Sequence, residues 1–76
     1  MNLEISNIAF NKKTKQFAVV LWFTDTIAKT SGSGGWPHDE YEMLTVSQAK
    51  VLYYFDETDS SWSSPSQKCI ETVFSN

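Results

Sequence analysis

Apolar and polar residues alternate in short runs along this chain, and each run ends in a polar break. In Asn2–Phe10, Leu3 and Ile5 share one parity and Ile8 and Phe10 the other. A strand carrying a bulge near Ser6 or Asn7 reconciles the two. Asn11–Gln16, NKKTKQ, has no apolar residue and reads as a hairpin tip. Phe17–Thr24, FAVVLWFT, is the clearest strand. Phe17, Val19, Leu21 and Phe23 point one way, and Ala18, Val20 and Trp22 the other. Apolar side chains on both faces predict a central strand, or one covered on each side.

The alternation then stops. Residues 28–39 hold all three glycines, and the pattern predicts a glycine-rich mobile loop there. It resumes at Tyr41–Val46, a short third strand. Thr45 and Gln48 have the spacing of a capping box, with Thr45 able to accept an amide and Gln48 to reach back. The helix that follows runs from Val46 to about Glu57. Val46, Ala49, Leu52, Tyr53 and Phe55 form its apolar arc, opposite Ser47, Lys50, Tyr54 and Glu57. Val51–Phe55 is rich in strand-forming side chains, so an extended reading competes with the helix there. Residues 57–67 form a serine-rich loop, and Lys68–Phe74 alternates well enough for a last strand. The order β-β-β-α-β predicts a single α+β domain over residues 1–76, a mainly antiparallel four-stranded sheet with one helix packed on a face.

Length limits what such a domain does. At 76 residues, nearly every apolar side chain is needed for the core, which disfavours a deep enclosed cavity. An apolar fraction of 41% is too high for a disordered chain, and no apolar run is long enough to cross a bilayer. The N-terminus lacks a basic start and an apolar stretch, and a single cysteine allows no internal disulfide. Both point to the cytoplasm, that of a host cell if the chain is phage-encoded. The net charge is −3, and none of the six basic residues is arginine. Specific nucleic-acid binding is not expected of such a chain, since arginine is the usual reader of guanine edges.

The residues that invite a chemical reading do not assemble into a known machine. Gly34 and Gly35 are followed by Trp36 and Pro37, and the nearby lysine, Lys29, precedes them, so no phosphate loop is formed. His38 and Cys69 lack a nucleophile motif around them, and one histidine with one cysteine does not supply four zinc ligands. Asp56–Gln67 has neither the glycine nor the closing glutamate of a calcium loop. No catalytic residue, metal or cofactor is therefore expected. What remains are two acidic groups, Asp39, Glu40 and Glu42, then Asp56, Glu57 and Asp59, and two tryptophans in predicted loops, Trp36 and Trp62. Each has a plain alternative. The carboxylates serve as solvated charge or as a docking surface for a basic partner. Trp36 folds back over a thin core or anchors on a partner. Lys12, Lys13 and Lys15 solubilise a turn or contact phosphate. Together, Trp36, Asp39, Glu40, Glu42, Asp56, Glu57, Asp59 and Trp62 are the candidate partner-binding residues, an aromatic hot spot ringed by acids.

Leu44–Lys50, LTVSQAK, a short strand running into a capped helix, resembles a segment of some small phage anti-CRISPR proteins. The resemblance covers seven residues, and the scarcity of basic residues here departs from members with basic surfaces. It implies a non-enzymatic phage inhibitor that works by occlusion, without identifying a target. With the acidic groups and loop tryptophans, the leading expectation is a phage or mobile-element protein that covers a basic surface of a nucleic-acid-guided complex or nuclease. An immunity or antitoxin-type inhibitor of a single toxin enzyme, and a small self-assembling structural protein, are the competing expectations. A protein partner with a basic surface, no membrane contact, and a monomer or small homo-oligomer complete the expectation.

Overall fold

The computed structural model describes residues 4–32, 34–58 and 61–75, with the backbone alone for 56–58. The chain runs β1 (Ile5–Asn11), β2 (Gln16–Phe23), β3 (Ile27–Thr30), β4 (Gly34–Pro37), β5 (Tyr41–Thr45), α1 (Val46–Thr58) and α2 (Gln67–Phe74). It is an α+β fold, with five antiparallel strands in the order β4-β3-β2-β1-β5.

Several expectations hold. The register of β1 against β5 shifts between Ile5 and Ala9, where the change of parity predicts a bulge. At the β1–β2 tip, Asn11 Oδ1 accepts from the amides of Lys13 and Thr14, both at 2.9 Å, which turns the chain. Thr45 and Gln48 form the capping box: Gln48 N donates to Thr45 Oγ1 (3.1 Å) and Thr45 N to Gln48 Oε1 (2.9 Å). Val51–Phe55 lies in α1, so the cap prevails over strand propensity.

Two expectations are corrected. The sheet has five strands rather than four, and residues 28–39, expected to be a loop, contain β3–turn–β4. Ala28 pairs with Trp36 and Thr30 with Gly34, and the Thr30 hydroxyl donates to the Gly34 carbonyl (2.5 Å). Gly32 and Gly34 take φ of 83° and 75°, which the hairpin needs and other side chains resist. The second correction is Lys68–Phe74, a helix instead of a strand. Ser66 caps it, accepting from Cys69 N at 3.0 Å. Cys69 and Val73 are buried and Ile70 and Phe74 pack beside them, two pairs spaced four apart on one helical face.

The sheet is curled. Edge strands β4 and β5 are joined by residues 38–40 alone. Four Cα steps reach about 15 Å at most, whereas the outer strands of a flat five-stranded sheet stand about 19 Å apart. β2 makes the bend. Its first half pairs with β1 and its second with β3, with a register shift between Val20 and Trp22. Two cores result. Inside the curl, Trp36 lies among Ala9, Ala18, Ala28 and Val20, with Tyr41 and Met43 packed against them. Outside it, Ile8, Phe10, Phe17 and Leu44 meet Ala49, Leu52 and Phe55 of α1 and Cys69 and Val73 of α2. Phe10 holds Phe17 (4.8 Å between centroids) and Phe74 (5.0 Å) there.

Candidate docking surface

Leu21, Trp22 and Phe23 close β2, and their exposures are 54%, 54% and 56%. The sequence predicts a central strand or one covered on each side; β2 is the middle strand of the five, but its cover reaches only as far as Val20. Past the register shift, Leu21, Trp22 and Phe23 belong to neither core, and β2 runs out to the β2–β3 tip. That tip is built by Thr24, whose hydroxyl accepts from Thr26 N and Ile27 N at 3.3 and 3.1 Å.

The tip is tied to the β4–β5 turn by His38. Its Nε2 lies 2.8 Å from the Thr24 carbonyl and its Nδ1 2.5 Å from the Tyr41 hydroxyl. A carbonyl only accepts, so in the neutral ring Nε2 carries the hydrogen and Tyr41 donates to Nδ1. Burial pushes the Tyr41 phenol above its ordinary value of 10.0, because the phenolate is poorly solvated there. Phe23 stacks over the imidazole with ring centroids 6.3 Å apart. The exposed aromatic at the end of β2 therefore rests on a hydrogen-bonded platform; the exposed Asp25 lies two residues further along in the tip, and the exposed Asp39 follows His38 in the turn.

The eight residues singled out from the sequence fare differently. Trp36 is 4% exposed and belongs to the inner core, the folded-back arrangement, and offers no exposed indole as an anchor. Trp62 is half-buried against the outer core, tilted on Tyr53 at 5.4 Å, and its carbonyl accepts from Phe17 N at 2.9 Å. The two tryptophans sit on opposite faces of the sheet and make no pair. Asp39 and Glu40 occupy the β4–β5 turn beside the lysine hairpin: Lys12 N donates to the Glu40 carbonyl (2.7 Å), and Lys13 Nζ lies 3.9 Å from Glu40 Oε1. Such an exposed pair contributes little to stability, but it makes this end of the acidic group mixed in charge. Glu42 is exposed on β5. Asp56 and Glu57 fall in the last turns of α1; their side chains, and all of Asp59, lie outside the described residues.

A groove of about 430 Å³ opens beside the first half of β2, lined by Phe17, Val19, Ser31, Gly32, Trp62 and Ser63. None of these carries an acid, a base or a thiol. Among the described residues, no three histidine, cysteine or carboxylate side chains converge as a metal site would require, and no helix is long and apolar enough to cross a membrane. The chain matches no protein-family model, no curated protein and no solved structure.

Proposed function

We propose that this chain is a non-catalytic binding protein, an inhibitor from a phage or mobile element that covers a basic surface of a bacterial nucleic-acid-handling complex. The observation that carries the reading is the run Leu21, Trp22 and Phe23, three consecutive large apolar side chains each more than half exposed. A folding sequence gains nothing from such a run in water. Neighbours in a strand point to opposite faces, so both faces of this strand end are apolar and exposed, and exposed apolar surface of this extent marks an interaction site. Tryptophan and other rigid aromatics are the usual anchors of an interface. Asp25 and Asp39 supply a negative rim on a chain of net charge −3, which suits a partner of positive potential. The LTVSQAK resemblance supports inhibition by occlusion. The docking residues of this proposal are Trp22, Phe23, Asp25 and Asp39, in place of the buried Trp36 and the half-buried Trp62.

The test is affinity capture from bacterial lysates at low and high salt, using the full chain and a Trp22→Ser/Phe23→Ser double variant. A stoichiometric nucleic-acid-handling complex, held at low salt by the parent chain and lost by the double variant, supports the proposal. Retention unchanged by the double variant, or retention only of copies of the chain itself, overturns it.

A further inference from the structure

We propose that the outer edge of β5 is a strand-addition site for an extended, basic peptide segment of a partner protein. Lys12 N donates to the Glu40 carbonyl and Val46 N to the Glu4 carbonyl, so residues of even number from 40 to 46 face β1. Alternation along a strand then turns the backbone amides and carbonyls of Tyr41 and Met43 toward the open edge. Since β5 ends the sheet, the amides and carbonyls of Tyr41 and Met43 hold no hydrogen bond among the described residues. Thr45, the next outward residue, is already closed, its amide bonded to Gln48 Oε1.

The two edges of the sheet are not alike. β4 has four residues, among them Gly34, Gly35 and Pro37. Pro37 has no amide, and its carbonyl accepts from Glu40 N at 2.9 Å. Short length and proline are the ordinary means of blunting a sheet edge. β5 has neither, nor a lysine. It presents two donors and two acceptors in strand register, the arrangement that captures an extended peptide.

Side chains select the occupant. Glu42 is exposed on the helix side of the strand, between the inward-facing Tyr41 and Met43. An antiparallel segment of alternating basic and apolar residues sets lysine or arginine beside Glu42 and apolar groups beside Tyr41 and Met43. A second copy of the chain fits less well. Pairing β5 with itself brings two Glu42 carboxylates together on molecules that each carry −3. The edge and the aromatic tip belong to different strands, so this proposal stands apart from the one above.

The probe is acetyl-Lys-Val-Lys-Val-Lys-amide, titrated into the ¹⁵N-labelled full chain. Saturable shifts of the Tyr41 and Met43 amides are expected. N-methylation of both valines, whose N–H groups face β5, is expected to weaken binding by at least about tenfold. N-methylation of the central lysine, whose N–H faces away, is expected to leave it unchanged. Glu42→Lys is expected to weaken binding while the remaining spectrum stays native. Absent saturable shifts, or equal loss from both methylated peptides, overturn the proposal. If the Tyr41 and Met43 amides instead shift with concentration of the chain alone, and sedimentation shows a dimer, the second copy is the occupant and the basic segment is overturned.

Discussion

Trp36 of β4 stands opposite Ala28 of β3 in the strand register, and beyond Ala28 the inner surface of the curl offers Ala18 and Ala9. Three methyl-sized side chains make the room that one indole fills. Replacing Trp36 by alanine leaves a large void that the curled sheet has no side chain to fill. A loss of about 3–5 kcal/mol is expected, a large share of the stability of so small a domain. Ala18→Leu is expected to cost about 1–3 kcal/mol by overfilling the same space. Urea denaturation of the two variants checks both; a Trp36→Ala cost below about 1 kcal/mol contradicts the inner core described here.

Tyr41 ties pH to stability. Its native pKa is raised by burial above 10.0, so the folded chain keeps the phenolic proton where the unfolded chain has begun to lose it. This contribution is fully present below pH 10 and declines as the pH rises through the native value. Tyr41→Phe removes the ionisation and also the hydrogen bond to His38 Nδ1, at a cost of about 1 kcal/mol near neutral pH. The gap between parent and variant is expected to narrow as the pH climbs past 10, as urea midpoints from pH 7 to 11 would show. A gap that stays constant across that range argues against the raised value.

Gly35 and Ile27 are fitted to each other across β3 and β4. A Cβ at Gly35 would stand 2.5 Å from Ile27 Cδ1. Gly35→Ala is expected to destabilise by about 1 kcal/mol, by forcing Ile27 off its rotamer. Ile27→Val removes the offending methyl, so Gly35→Ala in that background is expected to be neutral or mildly favourable. Thermal denaturation of the four chains of this cycle measures the coupling, and additivity of the two changes would rule the contact out.

Both helices start on a side-chain cap. Thr45→Ala removes one half of the capping box of α1, and Ser66→Ala removes the acceptor for Cys69 N at the start of α2. Each is expected to cost about 1 kcal/mol, and the two to add, because the caps share no partner. A negligible cost for Ser66→Ala would indicate that α2 is held by packing alone.

The parts of the fold that follow from near neighbours were legible in the sequence. The first hairpin, the bulge near Ser6, the third apolar strand and the capped helix all rest on residues a few positions apart. Lys68–Phe74 misled because Cys69, Ile70, Val73 and Phe74 satisfy the alternation of a strand and the four-residue spacing of a helix alike, and the deciding contact is the single serine cap. The β3–β4 hairpin was hidden because β4 contributes two glycines, one proline and only one large apolar side chain. The exposed run proposed as a docking surface was not legible. Whether Trp22 or Trp36 meets solvent depends on where β2 exchanges one neighbour for another, and that register shift leaves no mark on the order of apolar residues.

That exchange has a further consequence, for how the molecule comes apart. The half of β2 paired with β1 holds the outer core, and the half paired with β3 holds the inner one. Neither hairpin leaves without exposing backbone of the same strand to water, so the two cores are not separable foldons. Native-state hydrogen exchange is therefore expected to give Ala9, Ala18 and Ala28 on one side and Leu52 and Val73 on the other a single opening free energy, equal to that of global unfolding.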